Sequence, residues 1–121
     1  MLILIVDSSL PVIERLIGLV TEGRADVHTG YATSFEEALL RFDQLQPDVV
    51  LLDMNLPDNS SWELLRILKH KKANTRVIAL SNNADYEVER QCSVDGASYF
   101  FDKYHDYEKI PAAIAAIGSA N

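Results

Sequence analysis

DVVLLDMNLPD, residues 48–58, is the stretch that decides the fold. Its core, Val49 to Leu52, is continuously apolar, which fits a strand covered on both faces rather than one half open to water. Two other runs have the same character, LILIV at 2–6 and VIAL at 77–80. Weaker strand candidates are Val27 to Ala32 and Ser98 to Phe101. Between these runs the apolar spacing turns helical. Ile13, Leu16, Ile17 and Val20 share one face, as do Phe35, Ala38, Leu39 and Phe42, and then Leu64, Ile67 and Leu68. Ala84, Val88 and Cys92 recur every four residues, and Ile110, Ala113, Ile114 and Ile117 close the series.

The punctuation agrees. Pro11 suits a first helical turn, where its missing N–H loses nothing. Ser34 with Glu37, and Ser60 with Glu63, read as capping boxes, and Asn83 and Asp106 as N-caps. Pro47 stops the second helix, Gly96 ends the fourth, and the tail Gly118 to Asn121 is expected to fray. Strand then helix therefore repeats five times, which predicts an α/β doubly wound parallel sheet with helices on both faces and right-handed crossovers. Nothing marks a second domain, so residues 1–121 read as one.

Composition narrows the function. With 48% hydrophobic and 24% charged residues, the chain can bury a core. A net charge of −7 repels phosphate backbones, which argues against direct nucleic-acid binding. No apolar run approaches the roughly 20 residues of a membrane helix. Leu2 to Val6 is too short for a signal peptide and reads as a strand of a cytoplasmic protein. Cys92, the one cysteine, is expected to be a buried small hydrophobe, and His28, His70 and His105 lack metal-ligand spacing. Lys69 to Lys72 reads as a solvated helix end that suits the dipole. The tyrosines 86, 99, 104 and 107 suit either an interface or ordinary surface packing.

In a doubly wound fold the functional crevice lies beyond the carboxyl ends of the strands. Asp7 ends the first run, Asp53 the third and Ser81 the fourth, and Lys103 lies just past the fifth. Two carboxylates, a hydroxyl and an ammonium converging on one edge suggest phosphoryl transfer. Asp53 would be the carboxylate nucleophile. Asp7 would hold a divalent cation such as magnesium. Lys103 would neutralise the transferred group and pair with Asp53 without it, and Ser81 would hydrogen-bond a phosphoryl oxygen.

Those residues carry a resemblance. ILIVDSS at 3–9, DVVLLDMNLPD at 48–58, VIALSNN at 77–83 and GASYFFDK at 96–103 resemble, end to end, a response-regulator receiver domain of two-component signalling, such as a stand-alone receiver. The resemblance implies a flavodoxin-like (βα)5 fold with strand order 2-1-3-4-5. It implies Asp53 as phosphorylation site, Lys103 as the site lysine, Ser81 as switch hydroxyl and Phe100 as switch aromatic. The main-chain carbonyl of Asn55 would complete a magnesium shell with Asp7 and Asp53. The implied partners are a histidine kinase or phosphotransfer protein and a downstream protein target. A homodimer formed through the last helix–strand–helix face is a further family expectation.

Four departures stand out. Ser8 replaces the second acid after the first strand, leaving only weak or water-mediated metal contact there, so magnesium affinity should be low. Tyr104 follows Lys103 where proline is usual, which removes a cis Lys–Pro bond. Ser61 stands where glycine is usual, and Asn82 where a small residue is usual. The leading expectation is a phosphoacceptor switch that assists its own phosphorylation and dephosphorylation without being a conventional enzyme. The rival is a degenerate receiver that binds partners without phosphorylation. A flavin or nucleotide binder is disfavoured, because Ser8-Ser9-Leu10-Pro11 takes the place of a glycine-rich phosphate loop.

Overall fold

The computed structural model describes residues 1–83 and 85–119. The order is β1 (Leu2–Val6), α1 (Leu10–Thr21), β2 (His28–Ala32), α2 (Phe35–Leu45), β3 (Val49–Asp53), α3 (Ser61–Lys71), β4 (Arg76–Ser81), α4 (Tyr86–Val94), β5 (Tyr99–Asp102), a 3-10 turn (Tyr107–Lys109) and α5 (Ile110–Ser119). All strand pairs are parallel, in the order β2-β1-β3-β4-β5. The expected fold is thus the observed one. The two weaker strands begin one residue late, at His28 and Tyr99, and the 3-10 turn was not expected.

The continuous apolar runs have a simple reason. Successive side chains of a strand point to opposite faces, and both faces here are covered. Leu4, Val6, Val50, Leu52, Val77 and Ala79 pack on one face against Ala38 and Phe42 of α2, Leu64, Leu65 and Leu68 of α3, and Cys92 of α4. Ile3, Ile5, Val49, Leu51, Ile78 and Leu80 pack on the other against Ile13, Leu16 and Val20 of α1 and Ile110, Ala113 and Ile114 of α5. Full burial of each such aliphatic side chain contributes about 1.5–3 kcal/mol. Phe42, fully buried, is the change most apt to break this core; Phe42→Ala costs about 3–5 kcal/mol.

Register sets where the polar residues emerge. Leu51 lies opposite Ile5 and Ile78, so the central strands run level and end together. The ladder then extends past them: Asp7 N–H donates to Ala32, Met54 N–H to Leu80 and Lys103 N–H to Ser81. Asp7, Asp53, Ser81 and Lys103 therefore share the carboxyl edge.

Several helix ends differ from expectation. Ser34 caps α2 as expected, accepting from Glu37 N–H at 3.2 Å, but Glu37 reaches back to the Thr33 N–H rather than to Ser34. Ser60 makes no capping bond; its hydroxyl donates to Asp58, 2.5 Å away, which wins because it lies only two residues back. Asp85, not Asn83, caps α4, accepting from Val88 N–H at 2.9 Å. Asn83 lies too far upstream and instead donates its N–H to Ser81. Asp106 sits at the cap position of the 3-10 turn, but its carboxylate takes the Asp102 N–H. Pro11 lies in the first turn of α1, and α2 stops at Leu45 with Gln46 left-handed before Pro47. Gly96, at φ +109°, lets the chain leave α4. Ala84, Ala120 and Asn121, which the helical repeat and the fraying tail involved, lie outside the described residues. The lysine run is less free than a solvated helix end: Lys69 donates to the Ala73 and Thr75 carbonyls, and Lys72 to those of Gln46 and Pro47.

Candidate functional site

The site grows out of β1, β3 and β5. Asp7 and Asp53 are 1% and 2% exposed, and Lys103 only 8%. Lys103 Nζ lies 2.7 Å from Asp7 Oδ2 and 3.1 Å from Asp53 Oδ2. One ammonium thus bridges two carboxylates, and the buried trio carries a net charge of −1 when all three are ionised. Asp53 Oδ1 accepts the Asn55 N–H at 2.9 Å, and Asp7 Oδ1 accepts the Ser9 N–H at 2.8 Å.

Burial pushes the Asp53 carboxyl above its ordinary value. The Asn55 N–H and Lys103 oppose the shift, and the Asp7 charge adds to it. Burial pulls on Lys103 in the other sense, but its contacts with Asp7 and Asp53 outweigh that and raise it overall. The lysine is therefore held charged. Asp53 is held in place at some energetic expense, a pattern common at functional sites.

Asp7 Oδ2 is buried and makes no directed hydrogen bond, having only its charge contact with Lys103. A carboxylate oxygen of this kind, next to a second buried carboxylate, suits a hard divalent cation. Among the described residues no three His, Cys, Asp or Glu side chains gather for a metal. Two acids alone could hold such a cation only together with other oxygen ligands, such as main-chain carbonyls or water. Ser8, the residue in place of a third acid, is exposed and lines a cleft of about 200 Å³ with Thr33, Ser34, Phe35, Leu56, Pro57 and Asp58.

The other expected residues divide. Ser81 is buried at the same edge, but its hydroxyl bonds to Asn55 and Asn83 rather than to the acids. It donates towards Asn83 O at 3.0 Å and Asn55 Oδ1 at 3.3 Å, and accepts the Asn83 N–H. Phe100 is half-buried and packs against the α2–α3–α4 core. Trp62 is half-buried in the same packing. Among the tyrosines, Tyr86 and Tyr104 are exposed, Tyr99 stacks on Phe101, and Tyr107 is buried under Arg15. Cys92 is fully buried, and burial pushes its thiol up to about 11, so it is inert at neutral pH. The loop after Lys103 dispenses with proline: Asp102 Oδ1 accepts the N–H groups of Tyr104 and His105, and no cis peptide bond occurs among the described residues.

Two contacts at the site were not expected, one through the Asn55 side chain and one through Ser61. The Asn55 side chain accepts the Asn82 N–H at 2.7 Å and so ties the β3–α3 loop to the β4–α4 loop. Asn82 enters this contact through its backbone, not its side chain. Ser61, 1% exposed, donates to the Asp53 carbonyl at 2.7 Å and accepts the Leu56 N–H at 3.2 Å. Its departure from glycine was the available signal.

Comparison with known proteins identifies the family and the fold. The family model described as "Response regulator receiver domain" matches residues 3–115. A protein-glutamate methylesterase/protein-glutamine glutaminase of Treponema pallidum is 36% identical over 104 residues, taking in 84% of this chain and 26% of that protein. The cell cycle transcriptional regulator CtrA of Caulobacter vibrioides is 33% identical over 70 residues, 58% of this chain and 30% of the regulator. The matches thus span about a quarter to a third of these curated relatives. A chain of the CheX–CheY–BeF3–Mg2+ complex of Borrelia burgdorferi superposes with a TM-score of 0.87 at 24% identity, over 98% of this chain and 89% of that one. That likeness is one of fold. No described helix is long and apolar enough to cross a membrane.

Proposed function

This chain belongs to the response regulator receiver domain family, and from that premise we propose that it is a phosphoacceptor switch with Asp53 as the acceptor. The observation that carries the reading is the buried trio: Lys103 bridging Asp7 and Asp53, with Asp7 Oδ2 lacking a directed hydrogen bond. A histidine kinase or phosphotransfer protein would present a phosphohistidine. An Asp53 carboxylate oxygen then attacks phosphorus, the P–N bond breaks, and the imidazole leaves. Lys103 stays beside the new acyl phosphate and offsets its charge. Asp7, Asp53 and the Asn55 carbonyl would hold magnesium, with Ser8 contributing at most through water. When bound, the ion neutralises charge on the transferred group.

Ser81 and Phe100 form the proposed switch. For its hydroxyl to meet a phosphoryl oxygen, Ser81 must release Asn55 Oδ1 and Asn83 O. That release loosens the β4–α4 loop, which Asn55 still holds through the Asn82 N–H, and changes the surface offered to a downstream protein or to a second copy. Hydrolysis of the acyl phosphate restores the starting state. In this reading residues 1–121 act as one cytoplasmic receiver domain. It serves as a switch rather than as an enzyme acting on a separate substrate.

The test is to incubate the protein with magnesium and a small phosphodonor and follow its intact mass. Uptake of one phosphoryl group by the wild type and none by Asp53→Asn is the expected result. No Asp53-dependent uptake from any donor, and no response to beryllofluoride, would sink the reading. A second reading is favoured by one observation, the exposed Ser8 in place of an acid. In it the chain binds its partner without phosphorylation. Unmeasurable magnesium binding, with partner binding equal in wild type and Asp53→Asn, is its signature.

A further inference from the structure

Ser61 opens α3 yet takes no part in capping that helix; Ser60 holds the cap position. The two neighbouring serines divide the loop. Ser60 turns outward to Asp58, whereas the Ser61 hydroxyl turns inward and is used twice. It donates to the carbonyl of the last residue of β3 and accepts an N–H three residues further on. The segment spanned, Asp53 to Leu56, contains the acceptor carboxylate and the Asn55 carbonyl. Asp53 Oδ1 is itself held by the Asn55 N–H inside this span. Leu56 is 3% exposed, so its N–H gains little from water if the hydroxyl is removed.

We propose that Ser61 is a positioning residue for the phosphoacceptor: its hydroxyl fixes the Asp53–Leu56 segment and so sets the orientation of the Asp53 carboxylate and the Asn55 carbonyl. The inference rests on the reading of these groups as an acceptor and cation site. With Ser8 supplying no charge, a cation must be held by fewer ligands, and a rigid arrangement matters more to those that remain. Groups that orient metal ligands from behind typically change affinity by about 10–100-fold when removed.

Thr75 provides a matched control. It too is fully buried, and its hydroxyl donates to a main-chain carbonyl, that of Pro47 at 3.1 Å, but at the opposite edge of the sheet. Wild type, Ser61→Ala, Ser61→Thr and Thr75→Val are compared by magnesium calorimetry and by carbon-13 NMR titration of the Asp53 side-chain carboxyl. Ser61→Ala should weaken magnesium binding about tenfold and move the Asp53 titration. Ser61→Thr, which keeps the hydroxyl, should recover most of both, and Thr75→Val should change neither. Should Ser61→Ala not fold, Ser61→Gly removes the same hydroxyl and takes its place. Unchanged magnesium affinity and Asp53 titration in the hydroxyl-less variant, or equal changes in Thr75→Val, would overturn the proposal. If the wild type takes up no magnesium, the reading of the cation site fails, while the Asp53 titration still decides the role of Ser61.

Discussion

The two edges of the sheet treat their acids in opposite ways. At the carboxyl edge Asp53 is 2% exposed, and burial pushes its carboxyl up. At the amino edge the Asp26 side chain is 63% exposed, and its bond to Arg24 holds its carboxyl down at about 2. The amino edge is otherwise well paired. Arg24 grips Asp26 with two hydrogen bonds at 2.9 Å, Asp48 accepts the Leu2 N–H, and Lys72 covers two carbonyls. It also holds the larger cleft, about 790 Å³, lined by such residues as Arg24, Asp26, Lys72 and Arg76. Cleft size is therefore a poor guide in this molecule. What distinguishes the carboxyl edge is buried charge in excess and an oxygen without a directed partner. A charge left uncompensated is available to a ligand, whereas a satisfied one is only structure.

The sharpest way to break this contrast is Asp53→Asn. Phosphoryl uptake should fall to nothing, read by intact mass. The same variant should gain stability at neutral pH, read by urea unfolding. The sign follows from the raised value of Asp53 in the folded protein. At low pH both folded and unfolded chains keep the proton, and the residue costs nothing. As pH rises through the ordinary carboxylate range the unfolded chain ionises first, so the wild type loses stability until its own raised value is passed. The advantage of Asp53→Asn should therefore grow across that interval and then level off. Equal stability at every pH would contradict the account of burial.

Lys103→Met should come next. It leaves two buried acids facing one another and should cost about 3–5 kcal/mol near pH 7, read by denaturant unfolding. The Lys103 contribution is intact at neutral pH and fades only as pH climbs past the ordinary lysine range through its raised value. Ser8→Asp sharpens the contrast from the other side. By adding a carboxylate beside the cation site it should tighten magnesium about tenfold, or roughly 1.4 kcal/mol, read by calorimetry. The smallest effect belongs to the amino edge. Asp26→Asn breaks an exposed pair and should leave the unfolding midpoint unchanged within error.

Much of this was legible in the chain. The residues ending the apolar runs, Asp7, Asp53 and Ser81, could be placed because a parallel sheet buried on both faces leaves little freedom in where its strands stop. The Lys103–Asp53 contact followed from that placement, whereas the closer Lys103–Asp7 contact was not expected. The cap at Asn83 failed because several polar residues compete in a short loop, and only backbone geometry selects Asp85. The Ser60–Glu63 box failed for a similar reason, since Asp58 offered Ser60 a nearer partner.

The sequence by itself determined the strand–helix alternation and the four polar residues, Asp7, Asp53, Ser81 and Lys103, that emerge at the carboxyl edge. These depend on periodicity and on short-range chain geometry, which a sequence states directly. Only the tertiary structure decided that the Ser81 hydroxyl faces Asn55 and that Ser61 clasps the Asp53 backbone. The first contact joins residues 26 apart in the chain, and the second residues eight apart. Which hydroxyl turns inward depends on loop backbone angles that no periodicity encodes.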